Sequence, residues 1–244
     1  MTIAGIIPAR YASTRFPGKP LVDIRGKSMI RRVYEQCRRS SLLDAVVVAT
    51  DDLRIADHVK EFGQVVMTAP EHPSGTDRCH EALGQLHGQF DYVINIQGDE
   101  PFIDPRQIEL LAGLLDGKTQ LATLAKAIHD PASIHNPNVV KVVFNARGEA
   151  LYFSRSPIPH VRGKETSEWH HNYTFHKHIG MYAYRTDILK EITLLSPSPL
   201  EKAESLEQLR WLENGYRIRV AVTELESAGI DTPQDIEDLP AHLI

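Results

Sequence analysis

The chain has 244 residues, of which 42% are hydrophobic and 24% charged, a composition typical of a globular protein with enough length for a buried core. Its formal net charge of −5 argues against a general nucleic-acid-binding surface, so any anion site must be a local concentration of positive charge. The two cysteines, Cys37 and Cys79, lack CxxC spacing, and no stretch suits a secretion signal or a membrane span, which predicts a cytoplasmic protein without membrane insertion.

In the first half of the chain, apolar runs alternate with amphipathic segments. The β-branched run at 45–50 is typical of a buried strand, whereas the apolar residues of 28–40 recur at helical spacing. The predicted strands are 3–7, 45–50, 65–67 and a run that starts at Tyr92, and the predicted helices are 28–40, 53–62 and 76–86. This alternation predicts a parallel sheet with helices on both faces.

After residue 120 the rhythm changes. Extended segments are predicted at 121–128, 139–144, 150–154, 179–184 and 217–222, with a hairpin across 145–148 and an exposed loop at 156–174. A helix at 206–214 should end at Gly215, and Thr232 should cap a last helix with Pro233 in its first turn. Since no linker or repeat interrupts the chain, we expect one domain over 1–244, with an antiparallel subregion around 121–200.

The apolar run that begins at Tyr92 stops abruptly at Gly98, Asp99 and Glu100. Carboxylates at the end of such a strand lie where open α/β sheets bind their ligands, and Mg²⁺ is usually held by one or two carboxylates plus substrate phosphates. Asp231 follows another apolar run and is a second candidate magnesium ligand. Either aspartate could instead be only a helix cap or a turn residue, and for Asp231 the two interpretations are evenly balanced.

A basic loop directly follows the first predicted strand. It contains Arg10, Arg15 and Lys19, and residues 1–20 include no acidic side chain. Arginine can bridge phosphate oxygens and lysine acts as a point charge, so the loop favours a triphosphate over the alternative of a solvated surface loop. The loop contains neither GxxxxGK[ST] nor GxGxxG, which argues against a P-loop NTPase and a Rossmann dehydrogenase.

Motifs along nearly the whole chain resemble those of one family, the 3-deoxy-manno-octulosonate (Kdo) cytidylyltransferases. The basic loop from Ile7 to Leu21 resembles the signature of the CTP-using sugar nucleotidyltransferases. Six further motifs follow in family order: Ser74-Gly75-Thr76-Asp77-Arg78, Asn95-Ile96-Gln97-Gly98-Asp99-Glu100-Pro101, Ala150-Leu151-Tyr152-Phe153-Ser154-Arg155, His178-Ile179-Gly180-Met181-Tyr182-Ala183-Tyr184, Glu204-Ser205-Leu206-Glu207-Gln208-Leu209-Arg210 and Gly229-Ile230-Asp231-Thr232-Pro233.

The resemblance implies an α/β fold of the nucleotide-diphospho-sugar transferase type, a three-layer, mostly parallel sheet with an antiparallel elaboration that pairs two subunits of a homodimer. It implies Mg²⁺-dependent transfer of CMP from CTP to Kdo, an acidic eight-carbon sugar, for lipopolysaccharide biosynthesis. It implies these ligand contacts: Arg10, Arg15 and Lys19 for the phosphates, Ser74, Arg78 and Gln97 for cytidine, Asp99 and Asp231 for the metal, and Arg155, His178, Tyr182, Glu207 and Gln208 for the sugar acid. Arg10, Lys19 and Asp99 would be the catalytic residues.

Several interpretations stay open at this point. Glu207 and Gln208 could belong to an ordinary helix surface, and the pairs His170-His171 and His176–His178 could suggest a Zn²⁺ cluster, although carboxylate ligands are not obvious nearby. The competing functions are a nucleotidyltransferase for UTP or another sugar acid, a metal-dependent glycosyltransferase, and a nucleotide-sensing domain without chemistry. Asp99-Glu100-Pro101 lacks the last Asp of a DxD motif, which disfavours the glycosyltransferase.

Overall fold

The computed structural model describes residues 1–12, 16–226 and 229–239. The strands are β1 (Ile3–Ala9), β2 (Asp23–Ile24), β3 (Lys27–Ser28), β4 (Ala45–Thr50), β5 (Gln64–Met67), β6 (Tyr92–Asn95), β7 (Leu121–Ala127), β8 (Lys141–Phe144), β9 (Ala150–Ser154), β10 (His176–Arg185) and β11 (Ile218–Val222). The helices are α1 (Met29–Cys37), α2 (Leu53–Lys60), α3 (Gly75–Gln85), α4 (Pro105–Ala112), α5 (Pro131–His135), α6 (Trp169–Asn172), α7 (Thr186–Ile192), α8 (Pro199–Glu204), α9 (Gln208–Glu213) and α10 (Pro233–Glu237). Among these helices, none combines the length and the apolar character needed to cross a membrane.

The main sheet of the described chain has the strand order β11-β7-β10-β6-β1-β4-β5, and the β8–β9 hairpin is attached to β10. Neighbours in this order are parallel, except that β10 is antiparallel to both β6 and β7. The carboxyl ends of β1, β4, β6, β7 and β11 therefore share one edge of the sheet with the amino end of β10. The mostly parallel sheet and the antiparallel second half expected from the sequence are both present.

Both faces of this sheet are apolar, and helices cover each of them. In β4, for example, Val46 and Val48 belong to one apolar cluster, and Val47 and Ala49 belong to the other. Side chains of α1, α2 and α4 join the first cluster, whereas side chains of α3, α7 and α9 join the second. The result is the three-layer arrangement that the resemblance implied.

Several predicted element ends are confirmed. The Thr232 side chain caps α10 by accepting a hydrogen bond from the backbone N–H of Asp235, and Pro233 is the first residue of that helix. Gly215, two residues after α9, has a φ of 82°, the left-handed conformation that commonly ends a helix. Gly148 also has a positive φ, 72°, in the turn that joins the antiparallel strands β8 and β9.

Several features differ from the expectations, and the short elements β2, β3, α5, α7 and α8 were not predicted. Helix α4 was not predicted, although Asp104 caps it and Pro105 starts it. Strand β10 begins at His176, three residues earlier than expected, because its first residues pair with β7. The segment 156–174, expected to be an exposed loop, contains α6, whose Trp169 is buried against Ile134 and Phe175.

Candidate active site

A cleft of about 340 Å³ opens at the carboxyl ends of β1 and β6. Its walls come from the end of β1, the 3₁₀ turn Lys19–Leu21, the start of α3 and the residues after β6. The lining residues are Pro8, Ala9, Arg10, Ala12, Lys19, Pro20, Pro73, Ser74, Gly75, Gln97, Gly98 and Asp99. The fold thus brings together five predicted site residues that are scattered over the first hundred positions of the chain: Arg10, Lys19, Ser74, Gln97 and Asp99.

Two glycines shape this cleft. A Cβ atom on Gly98 would lie only 2.7 Å from the carbonyl oxygen of Pro8, so a side chain at this position would force the end of β6 away from β1. Gly18 has a φ of 73° and its backbone N–H donates to the carbonyl of Tyr11 at 2.9 Å, which folds the basic loop back on itself. These backbone approaches bring the segments of Asp99 and Lys19 together, and the two side chains form an ion pair.

Lys19 lies between the two predicted metal ligands. Its Nζ is 2.8 Å from Oδ2 of Asp99 and 3.3 Å from Oδ1 of Asp231. The aspartate side chains remain 35% and 50% exposed, so these ion pairs contribute little to stability. Their importance is positional, because one cation holds two carboxylates that are 132 residues apart in the chain.

Asp231 reaches the cleft through contacts of its own segment. The backbone N–H of Ile230 donates to the carbonyl of Asp99 at 2.9 Å, and the Ile230 side chain is buried in an apolar cluster with α1. Oδ2 of Asp235 accepts hydrogen bonds from the backbone N–H groups of Asp231 and Thr232, both at 2.7 Å. Thr232, rather than Asp231, is therefore the N-cap of α10, and the Asp231 carboxylate faces Lys19.

The two carboxylates suit one kind of metal site. Within the described ranges, no group of three or more His, Cys, Asp and Glu side chains is arranged to hold a metal ion, as a structural Zn²⁺ would require. Mg²⁺ needs fewer protein ligands, because it usually takes one or two carboxylates and completes its shell with substrate phosphates and water. Asp99 and Asp231, held at a common cation, fit Mg²⁺ bound together with a nucleotide.

The three arginines predicted to contact the nucleotide differ in position. Arg10 is exposed and its guanidinium donates to the carbonyl of His72, whereas Arg15 lies outside the described residues. Arg78 is fully buried, and its Nη1 lies 3.1 Å from Oδ1 of Asp51. Burial lowers the pKa of Arg78, and the charge of Asp51 opposes that shift. Within the described residues, Nε and Nη2 of Arg78 are buried without a hydrogen-bond partner.

Glu207 joins the start of α3 to the start of α9. Its two carboxylate oxygens accept hydrogen bonds from the hydroxyls of Ser74 at 3.0 Å and Thr76 at 2.8 Å. Burial raises the pKa of Glu207, and the two hydroxyl donors oppose that shift. Glu207 is therefore not part of an ordinary helix surface, and neither is Gln208, which is only 5% exposed. Sequence reasoning did not single out Thr76. The only sign of its importance in the sequence was its place in the motif that runs from Ser74 to Arg78.

His178 and Tyr182 both lie on β10, beside each other, with ring centroids 5.1 Å apart. Nε2 of His178 lies 3.0 Å from the hydroxyl of Thr123, and Phe153 packs edge-on against the imidazole. Burial lowers the pKa of His178 to about 3, so the ring is neutral at neutral pH. The Tyr182 side chain is buried, and burial raises the pKa of its hydroxyl well above the usual value, so the hydroxyl keeps its proton.

Arg155 was predicted to pair with a carboxylate of the sugar, and the structure shows its guanidinium bonded to main-chain carbonyls. Nε donates to Glu204 at 2.7 Å, Nη1 to Pro137 at 3.1 Å and Nη2 to Ser205 at 3.4 Å. Because each terminal nitrogen carries two N–H groups, one donor on each remains for a ligand.

Comparison with known proteins agrees with this geometry. Residues 4–218 match the cytidylyltransferase family. The 3-deoxy-manno-octulosonate cytidylyltransferase of Cytophaga hutchinsonii is 60% identical over 97% of this chain and 95% of its own length, and that of Parabacteroides distasonis is 58% identical over 100% and 98%. A solved CMP:2-keto-3-deoxy-manno-octonic acid synthetase complexed with CTP superposes with a TM-score of 0.90 at 44% identity, covering 98% of this chain and 96% of that one.

Proposed function

Because the chain belongs to the 3-deoxy-manno-octulosonate cytidylyltransferase family, we propose that it transfers CMP from CTP to the 2-hydroxyl of Kdo, giving CMP-Kdo and pyrophosphate. The sugar oxygen forms a bond to the α-phosphorus, the bond from that phosphorus to the oxygen bridging to the β-phosphate breaks, and the hydroxyl gives up its proton. Such transfers depend mainly on positioning and electrostatic stabilisation. The observation that carries this assignment is the cleft in which Lys19 meets Asp99 and Asp231.

On the nucleotide side, Arg10, Arg15 and Lys19 are the proposed phosphate ligands. Arg10 and Lys19 line the same cleft and present positive charge to a triphosphate. Ser74 and Gln97, which also line that cleft, would contact the cytidine. The buried, unpaired donors of Arg78 match the two acceptors of a cytosine ring, O2 and N3, and so support a role in base recognition.

Asp99 and Asp231 are the proposed ligands of Mg²⁺. Bound there, the metal would offset negative charge on the phosphates of CTP. Lys19 would then be released from the two carboxylates and could donate its N–H groups to phosphate oxygens. Metal binding and phosphate binding would therefore both depend on Lys19, Asp99 and Asp231.

On the sugar side, the proposed ligands are the Arg155 guanidinium for the carboxylate and Tyr182, Glu207 and Gln208 for hydroxyl groups. The protonated Tyr182 hydroxyl and the remaining N–H groups of Arg155 are the donors that support this role. The neutral His178 ring has both a donor and an acceptor nitrogen, which suits a hydroxylated sugar better than a fixed positive charge would.

We also propose a cytoplasmic homodimer that acts in lipopolysaccharide biosynthesis. Strand β9 is the outer strand of its hairpin, and Leu151 on it is 61% exposed, which supports pairing of two copies through this region. Light scattering on the purified protein would measure the mass in solution, and a mass of one chain would contradict the dimer.

The reaction itself is tested by pyrophosphate release from purified protein supplied with CTP, Mg²⁺ and Kdo. Release should require all three components and should be lost with UTP, with ATP or without sugar. Release with a different sugar acid would keep the chemistry and change the substrate. Nucleotide binding without release from any sugar would favour a nucleotide-sensing domain and contradict the proposal.

A further inference from the structure

Lys141, the first residue of β8, has no exposed surface. Its Nζ donates to three main-chain carbonyls, of Asn136 at 2.9 Å, Val139 at 2.5 Å and Arg155 at 2.6 Å. An ammonium group has three N–H donors, so these bonds use all of them. Burying a charge is costly, and an apolar chain of similar volume would often stabilise a protein as well. The buried ammonium therefore has a role other than filling space in the core.

The three carbonyls belong to two separate segments. Asn136 and Val139 lie in the connection between α5 and β8, whereas Arg155 directly follows β9. No single apolar side chain could supply directional bonds to both. Lys141 thus fixes the backbone at the end of β9. The residue held there is Arg155, which is proposed to bind the sugar carboxylate.

Arg155 in turn fixes the next segment along this wall. Its backbone N–H donates to Oε2 of Glu204 at 2.9 Å, while the hydroxyl of Ser154 donates to Oε1 at 2.6 Å. Its guanidinium donates to the carbonyls of Glu204 and Ser205. Ser205 has a φ of 52°, a left-handed conformation that is uncommon for residues other than glycine and persists where the surroundings enforce it.

This turn leads directly to Glu207, whose carboxylate receives the hydroxyls of Ser74 and Thr76. We propose that Lys141 is a positioning residue for the sugar-acid side of the site, acting through Arg155 and the Ser205 turn on Glu207. This role rests on the proposed function. Lys141, which has no exposed surface, would touch neither substrate. Kdo binding should therefore be sensitive to Lys141. CTP binding meets this chain of contacts only at Ser74, which donates to Glu207, and should depend mainly on Arg10, Lys19 and the metal ligands.

The direct test is Lys141→Met, which keeps the length of the side chain and removes the ammonium. We expect KM for Kdo to rise by about tenfold, because three carbonyls lose their donor and Arg155 is freed, while KM for CTP stays within about twofold. Steady-state pyrophosphate release with each substrate varied in turn separates the two constants. Wild-type protein that releases no pyrophosphate would overturn the proposed function as well as this inference.

Two further variants separate positioning from general stability. Arg219→Met removes a partly exposed cation of β11 whose side chain donates to the carbonyl of Leu114 and makes no bond to Arg155 or Glu204, and it should lower the unfolding midpoint without raising KM for Kdo. Glu204→Gln weakens the same connection from its other side with little change of volume, and should raise KM for Kdo even if Lys141→Met does not fold. An active wild type with unchanged KM for Kdo in Glu204→Gln, and in Lys141→Met if that variant folds, would overturn the role of Lys141 alone.

Discussion

The nucleotide side and the sugar side of the candidate site are held in different ways. On the nucleotide side, the proposed ligands bind one another across an open cleft, with Lys19 between Asp99 and Asp231. On the sugar side, the proposed ligands are bonded to the protein framework: Arg155 to carbonyls and Glu207 to two hydroxyls. The first region must exchange partners when its ligands bind, whereas the second is largely arranged beforehand.

This difference has an energetic consequence. Partly exposed ion pairs contribute little to folding, so changes to the nucleotide side should affect activity far more than stability. Buried hydrogen-bonded groups contribute to both, because a donor or acceptor left without its partner costs free energy in the folded protein. Variants that separate activity from stability on one side, and couple them on the other, would sharpen the contrast.

The largest effect is expected from Asp99→Asn. The amide keeps the shape of the side chain and removes a charge needed for Mg²⁺, so turnover should fall by at least about a thousandfold. The unfolding midpoint should hardly change, since the carboxylate is partly exposed. Pyrophosphate release over a Mg²⁺ titration and thermal unfolding are the two measurements. Near-normal turnover would remove Asp99 from the metal site.

Asp104→Asn is the matched control on the same segment. Asp104 caps α4 by accepting a hydrogen bond from the backbone N–H of Arg106 at 2.9 Å, and it lies outside the cleft lining. Asparagine is also a good N-cap, so both turnover and stability should stay close to wild type.

Lys19→Met should give the next largest effect. Without the ammonium, kcat/KM for CTP should fall by about a hundredfold, because a direct phosphate contact is lost. The exposed Lys27, which pairs with Glu35 at 2.6 Å, provides the control Lys27→Met, for which no change is expected. Steady-state kinetics at two ionic strengths would measure both. Equal losses in the two variants would indicate a general charge effect instead of a specific contact.

The nucleotide side was readable from sequence because its features are local. A buried strand, a glycine and a carboxylate are adjacent at Gly98 and Asp99, and the cations of the basic loop fall within ten residues. The start of α4 was equally local, with Asp104 as cap and Pro105 at the first position, and could have been predicted from the same rules.

The sugar side was accessible mainly through family resemblance. Glu207 and Thr76 are 131 residues apart, and no local pattern indicates that they share a hydrogen bond. Lys141 begins a β-branched segment, where a lysine is just as typical of an exposed edge strand as of a buried clamp on carbonyls. Only the tertiary fold, which encloses its ammonium between two segments, distinguishes the two.

Gly98→Ala would test whether backbone approach is what shapes the nucleotide side. The new Cβ would lie 2.7 Å from the carbonyl oxygen of Pro8, so the end of β6 must shift. We expect a loss of about 2 kcal/mol in the free energy of unfolding and about a tenfold fall in kcat/KM for CTP. Here, unlike at Asp99, activity and stability should decline together.

Gly84→Ala is the control for that substitution. Gly84 lies within α3, and a Cβ there would meet nothing within 4 Å. Alanine should therefore stabilise the helix by about 0.5–1 kcal/mol and leave turnover unchanged. Urea unfolding and steady-state assays on both variants would settle the matter. A Gly98→Ala protein as stable and active as Gly84→Ala would show that the close approach is not required.

The smallest effect concerns His178 and is expected in stability alone. Burial lowers the pKa of His178 to about 3, whereas a histidine in an unfolded chain titrates near 6.5. Between these values the unfolded chain binds a proton that the folded protein does not, so stability is fully present above pH 6.5 and is lost as the pH falls. The slope from this residue should approach about 1.4 kcal/mol per pH unit below pH 6. His178→Gln, which cannot titrate, should flatten the pH dependence of urea unfolding between pH 6.5 and 5. Parallel curves for wild type and His178→Gln would mean that the ring takes up its proton in the folded state, and the sugar side would then be less enclosed than the structure indicates.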